Sequence, residues 1–456
     1  MTTLRHAHRC LAVCAVLALA ACATSSTPKR EIPAEERDVL SRQQRVSSIG
    51  AEFPLLWDGE ILDALRRTGG DIALAIGAPV DSFHYYVIDK PILNAITSPT
   101  GDIFFFTGQL AAMRSSSELA GVLAHEIAHV QAGHYERLSR SAALGTIPAI
   151  AAIILSGGNP AVFAGAIALL ESYQLAFSRE MEEEADRLSM MYLRRTSYDP
   201  RGLIGALGLI EAGERFMPSG VPESLRTHPL TPSRIGALQN GLGLPPGEIY
   251  RPDPDPGWDR VRAILLALDE PERALREFGA RAAAGDALDL DLLGVVHARH
   301  GNPTAAAVQF RRAVAAAPGE ARYAIDLGQA LWALGDAAGA RAEMERALRL
   351  PGGAANALAH FVLGEIARSE GRDAEALERY ARATELGPPL SVAHYQFALA
   401  LSGTTRLGEA DYHFARAAAL RGDYTGALAS YRRARERLGA DAAWAARIDA
   451  ALAHME

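Results

Sequence analysis

The chain reads as two folds in series: a mostly helical α+β domain with a small sheet, then an all-α solenoid. Three observations predict this. Residues 50–245 mix helical periodicity with two short runs rich in aromatic and β-branched residues, the pattern of helices packed on a few strands. Closely spaced prolines at 246–257, from Pro245-Pro246 to Asp253-Pro254-Asp255-Pro256-Gly257, forbid regular structure and divide the chain. Beyond them, residues 258–456 shift to alanine-rich helix with an internal repeat of 34 residues. At 456 residues, 49% hydrophobic and 22% charged, the chain is long enough for two or three ordinary globular units. Its formal net charge of -8, without a Lys/Arg-rich run, excludes nucleic acid as a partner, because phosphate binding needs a clustered basic surface.

Taken from the N-terminus, Arg5 and Arg9 precede an apolar run from Leu11 to Ala21 that is too short to span a bilayer and suits a signal peptide over residues 1–21. The run ends in Leu19-Ala20-Ala21-Cys22, which resembles the bacterial lipoprotein box, with Cys22 acylated as the mature N-terminus. One such anchor would hold a soluble domain on a membrane face. No Asp follows Cys22, which by resemblance to enterobacterial sorting favours the outer membrane. Cys10 and Cys14 leave with the leader, so neither cysteine catalysis nor a cysteine metal cluster is available to the mature chain. Residues 23–49 are polar and read as a tether turning helical.

Residues 55–65 look helical, His84 to Ile88 look like a strand, and Pro99-Thr100-Gly101 looks like a turn feeding a second strand, Ile103 to Thr107. Residues 117–138 and 172–195 have helical period. Between them lies an apolar tract, 142–170, broken by Ser156-Gly157-Gly158-Asn159-Pro160 into halves too short to cross a membrane. It reads either as a buried helical hairpin or as one facing lipid or a greasy substrate. In the C-terminal half, Leu293-Gly294 recurs as Leu327-Gly328 and Leu363-Gly364. Phe310, Met344, Tyr380 and Tyr431 recur in the second helix of each unit, and Gly301, Gly335, Gly371 and Gly422 close the first. This pattern resembles the tetratricopeptide repeat, whose stacked units present a concave face to peptides or partner proteins. Four units are visible, with a degenerate one at 258–284 and an extra helix at 391–402.

The chemistry sits in Val122-Leu123-Ala124-His125-Glu126-Ile127-Ala128-His129-Val130. Histidines at i and i+4 project from one face of a helix about a turn apart and reach one metal, while the intervening Glu126 lies beside them to act on water. A stray HExxH arises by chance, but an apolar helix has little other reason to carry this one. Catalytic zinc takes three protein ligands and keeps a fourth position open. The third ligand is sought in Arg179-Glu180-Met181-Glu182-Glu183-Glu184-Ala185-Asp186. Glu182 is favoured because Asp186, four residues on, can stand behind a histidine and fix its tautomer. Glu183 and Glu184 point elsewhere and read as solvated, although sequence alone allows an offset of one. Arg234 is a candidate oxyanion donor, and Ile103 to Phe106 a candidate edge strand for an extended substrate. His134 falls off the metal face and reads as structural, and the histidines of the repeats, His394 and His413 among them, read as ordinary helix residues.

HExxH followed by SRxxExEAD resembles the gluzincin peptidases of the HtpX and CAAX-prenyl-protease lineage. Asn94-Ala95, Pro99, Gly101, Ile103 and Thr107-Gly108 resemble that family's NA…PGG.I…TG stretch, with Thr100 where a glycine is common. The resemblance covers about residues 50–245. It implies a gluzincin zinc metallopeptidase domain with one Zn2+, ligands His125, His129 and Glu182 and catalytic Glu126, with Asp186 standing behind a ligand histidine. With Thr227-His228-Pro229 and the repeats, the chain also resembles a periplasmic lineage that acts in outer-membrane protein assembly. That likeness implies His228 as a fourth ligand or switch that must move before substrate enters. The expectation is a zinc endopeptidase of the periplasm, anchored to the outer membrane, acting on misfolded or stalled envelope proteins. The repeats would select clients and dock the assembly machinery. The competing reading is a repeat-based chaperone or scaffold whose metal site is capped or idle.

Overall fold

The computed structural model describes residues 34–80, 82–141, 179–216, 232–245, 250–387 and 389–453. The leader, Cys22, the apolar tract 142–170 and His228 lie outside them. No described helix is long and apolar enough to cross a membrane.

Helix α1 (Ala34–Glu52) opens the described chain and α2 (Gly59–Ala75) follows. The expected helix at residues 55–65 begins only at Gly59 and runs ten residues further. Leu55 is instead drawn into a bridge with Ile88, and Asp58 caps α2 by accepting from the amides of Glu60 and Ile61. Strands β1 (His84–Ile88), β2 (Ala95–Thr97) and β3 (Asp102–Phe106) make one sheet in the order β1-β3-β2. β1 runs parallel to β3, with Tyr86 opposite Phe104, and β2 runs antiparallel to it, with Thr97 opposite Ile103. β3 is therefore central, which is why all five of its residues are buried. Helices α3 (Thr107–Ala112), α4 (Ser116–Gln131), α5 (His134–Ser141), α6 (Arg179–Leu193), α7 (Arg201–Phe216) and α8 (Pro232–Leu242) complete this half. The long helix expected over 117–138 is broken at Gly133, whose φ of 62° separates α4 from α5.

The second half is a run of antiparallel helices: α9 (Pro256–Asp269), α10 (Pro271–Ala282), α11 (Ala287–Arg299), α12 (Pro303–Ala316), α13 (Ala321–Ala333), α14 (Ala337–Arg349), α15 (Ala357–Ser369), α16 (Asp373–Glu385), α17 (Ser391–Ser402), α18 (Leu407–Ala419), α19 (Tyr424–Leu438) and α20 (Ala442–Ala453). The repeat signature has a packing cause. A Cβ added to Gly294 would lie 2.4 Å from the Phe310 ring, one on Gly328 2.8 Å from Met344, and one on Gly364 2.7 Å from Tyr380. Each glycine lets the large side chain of the next helix lie flat on the backbone.

Both ends of the solenoid are fastened to the first domain. At its start, Asp255 caps α9 and also binds the amide and hydroxyl of Ser116 at the head of α4. The indole of Trp258 donates to the carbonyl of Met113 at 2.9 Å, and buried Arg260 binds Glu60, Asp291 and Asp326. At its far end, Tyr86 of β1 shares a 2.8 Å hydrogen bond with Tyr424 of α19, and the Trp57 ring lies where a side chain on Gly422 would be. The stretch read as a tether packs here from Val39 on: Val39 and Val46 join Tyr86, Phe104, Tyr424 and Tyr431 in one apolar cluster. Arg42 and Arg45 reach buried Asp102.

Candidate active site

Helix α4 starts cleanly because Ser115 caps it by accepting from the Glu118 amide. From Glu118 to His129 every residue is buried, so its polar groups must find partners inside the protein. His125 and His129, one turn apart, bring their Nε2 atoms within 3.1 Å of each other. Glu182 reaches over from α6, placing one carboxylate oxygen 3.4 Å from His125 Nε2 and the other 3.4 Å from His129 Nε2. Among the described residues, these three form the one group of His, Cys or carboxylate side chains able to hold a metal. Their spacing fits zinc. Bonds of about 2.0–2.1 Å at tetrahedral angles put ligand atoms roughly 3.3 Å apart, and a His/His/Glu donor set leaves one position open.

The outer partners determine which ring nitrogens carry protons. Asp186, a turn beyond Glu182, lies 3.0 Å from His125 Nδ1, and a carboxylate there favours the proton on that nitrogen and the lone pair on Nε2. Behind His129 stands His134, Nδ1 to Nδ1 at 3.0 Å, and His134 Nε2 faces Glu184 at 3.3 Å. If Glu184 accepts from His134 Nε2, then His134 Nδ1 accepts from His129 Nδ1, and His129 Nε2 again offers a lone pair toward Glu182. Burial pushes the His134 pKa below its ordinary value despite Glu184, in keeping with the neutral ring this relay needs. Burial also works against a charged His125, but hydrogen bonds to Asp186 and Glu182 leave its pKa raised. Burial alone would raise the Asp186 pKa; hydrogen bonds from Arg234 and His125 hold it below the usual carboxylate range.

Several expectations change. Arg234 is turned onto the site's carboxylates: Nε and one terminal nitrogen bind Asp186 at 2.8 Å each, and the other lies 2.7 Å from Glu182. Arg234 thus holds both of the site's carboxylates, Asp186 and Glu182, in place. Glu184 is not merely solvated, since it binds His134 and Arg137, whereas Glu183 is exposed as expected. The strand beside the site is β2, not β3, because β3 is paired on both sides. Asn94 and Ser98 turn their backbone groups toward β3, so those of Ala95 and Thr97 face outward along the edge. There the Thr97 carbonyl accepts from the Tyr135 hydroxyl. The Thr97 hydroxyl donates to Glu126 Oε2 at 2.5 Å. Sequence reasoning passed over Thr97, Tyr135 and the role of His134. The one available signal was the placement of His134 five residues after His129, just past Gly133.

Fold and site together define a metalloprotease-type domain joined to a helical repeat array. Residues 63–241 match Peptidase family M48 and residues 292–355 and 325–391 the tetratricopeptide repeat, so the chain carries a peptidase M48 domain followed by tetratricopeptide repeats. It is homologous to the beta-barrel assembly-enhancing proteases of Yersinia pestis and Escherichia coli (strain K12), 29% identical to each over 211 residues, or 44% of this chain. It is also 33% identical over 172 residues, 37% of its length, to the mitochondrial metalloendopeptidase OMA1 of Schizosaccharomyces pombe. The match spans 42% of each bacterial relative and 49% of the yeast one.

Proposed function

We propose that this protein is a zinc-dependent endopeptidase of the bacterial periplasm, held at the outer membrane through Cys22, that cleaves misfolded or stalled outer-membrane proteins. The observation that carries the reading is the convergence of His125, His129 and Glu182 on one point, with Glu126 beside them. The M48 match and the names of the bacterial relatives support the reaction class and the client class. The leader and the Leu19-Ala20-Ala21-Cys22 segment support the location, and the repeats support selection of clients or of assembly partners.

In this reading His125, His129 and Glu182 hold the zinc, with Asp186, Arg234 and His134 fixing their orientation. The bound ion supplies Lewis-acid chemistry, polarising the scissile carbonyl and acidifying water. Glu126 accepts the proton of the attacking water and returns it to the leaving amide nitrogen. The outward-facing backbone groups of β2 pair with an extended substrate and align its scissile bond. His228 is a fourth ligand that withdraws to admit substrate.

The test is cleavage of casein or an unfolded outer-membrane protein by the purified mature protein beside Glu126→Gln, with zinc content measured. About one zinc in both proteins and cutting by the wild type alone is the expected result. If neither cuts, His228→Ala is assayed. An inert His228→Ala overturns the peptidase reading in favour of a repeat-based chaperone or scaffold with an idle metal site.

A further inference from the structure

We infer that Thr97 is a positioning residue for Glu126, tying the edge strand that receives substrate to the group that moves the proton. The inference rests on the peptidase reading above. Thr97 Oγ1 lies 2.5 Å from Glu126 Oε2, and the two side chains are only 7% and 2% exposed. A hydroxyl donating to a carboxylate makes a charge-assisted bond, stronger and more directional than one between neutral groups. The bond engages Oε2 and restrains the swing of the carboxylate.

The donor is held firmly. Thr97 closes β2, opposite Ile103 of the central strand, and the next amide, Ser98, donates to Asp102 at 2.8 Å. Tyr135 from α5 grips the Thr97 carbonyl from the other side. The Asp102 end of this turn is itself clamped by Ser98, Thr100 and Arg45. A β-branched side chain on such a backbone has little χ1 freedom, so its hydroxyl stays where the fold puts it. Glu126 has three rotatable side-chain bonds and needs such an anchor to hold a productive geometry. The same residue offers an outward-facing amide to a substrate strand, so backbone pairing and proton transfer share one rigid support.

The experiment compares wild type, Thr97→Val and Thr97→Ser by steady-state kinetics on a peptide cut by the wild type, with bound zinc and thermal unfolding measured on each. Valine keeps the shape and removes the hydroxyl. We expect Thr97→Val to lose roughly tenfold to a hundredfold in kcat with KM, zinc content and melting temperature unchanged. Thr97→Ser should recover most of the rate. Wild-type kcat in Thr97→Val, or no recovery in Thr97→Ser, overturns the inference while leaving the peptidase reading intact. A matching loss of zinc or of melting temperature in Thr97→Val overturns it too, because the residue would then be only structural. A zinc-loaded wild type that cuts nothing, even with His228→Ala, removes the peptidase reading itself.

Discussion

Asp186 serves two masters, and replacing it separates them. Its carboxylate lies 3.0 Å from His125 Nδ1 and accepts from two nitrogens of Arg234 at 2.8 Å each. In Asp186→Asn the side chain keeps its shape but loses its charge. His125 then faces a neutral amide, whose single oxygen must serve both His125 and Arg234, in place of the carboxylate that favours its tautomer, and the loss of such a partner lowers metal affinity by about 10- to 100-fold, or about 1.4–2.7 kcal/mol. Separately, Arg234, 3% exposed, loses the carboxylate that two of its nitrogens bind, and an undercompensated buried cation costs up to about 3–5 kcal/mol. The two costs part company in Asp186→Asn/Arg234→Gln, which removes the buried cation and leaves Glu182 as the charge that has lost a partner. That double variant should regain part of the stability of the metal-free protein, read as its first transition in urea with chelator present, but not its zinc affinity. Zinc affinity is read by competition against a chromogenic chelator. An Asp186→Asn protein that holds zinc as tightly as wild type refutes the assignment of Asp186 to the histidine, and a double variant no more stable than the single one refutes the charge argument.

Two further outcomes follow from the solenoid. His394 and His413 meet through their Nδ1 atoms at 2.9 Å, and burial, aided by Arg416, Arg447 and, for His413, Arg406 and His394 itself, pushes their pKa values to about 3 and about 2. Both lie below the unfolded value near 6.5, so the unfolded chain binds more protons as pH falls. The pair's contribution is complete above about pH 6.5 and is lost below it, by up to about 1.4 kcal/mol per histidine per pH unit. Urea midpoints at pH 7.5 and 5.0 should therefore differ more for wild type than for His394→Gln/His413→Gln, and equal differences would reject the pair as the source. In the repeats, Gly294→Ala drives a methyl into the Phe310 ring and should cost about 1–3 kcal/mol in thermal unfolding, whereas Gly319→Ala, with nothing within 4 Å, should cost nothing.

Local features of this protein were legible in its sequence because their physics is local. The strand at His84 to Ile88, the break near Pro254 and the pairing of Gly294 with Phe310 are written in periodicity and turn chemistry. So is the shared face of His125 and His129, since residues four apart on any α-helix point the same way. The i, i+4 relation of Glu182 and Asp186 likewise singled out Glu182, which the structure brings against both histidines while Glu183 stays exposed. Where local signals competed, the reading slipped: periodicity started α2 at Leu55, but Leu55 pairs with Ile88, and the Asp58 cap starts the helix at Gly59.

What the sequence determined by itself was the two-part architecture, the helical repeat and the residues able to bind one metal. Only the tertiary structure decided which groups stand behind them. Thr97 lies 29 positions from Glu126, Arg234 lies 48 from Asp186, and Tyr86 lies 338 from Tyr424. No periodicity links such pairs; they meet because a three-stranded sheet puts β2 at its edge against α4, and because the solenoid returns to the domain it leaves. Strand order, and with it the choice of β2 over β3 as the edge, depends on which partners a strand finds after the chain has folded back, and a strand's own residues do not encode that. A helix carries its own hydrogen-bond partners within four residues, whereas a sheet edge and a buried ion pair borrow theirs from distant chain, and that difference set the boundary between what could be read and what had to be seen.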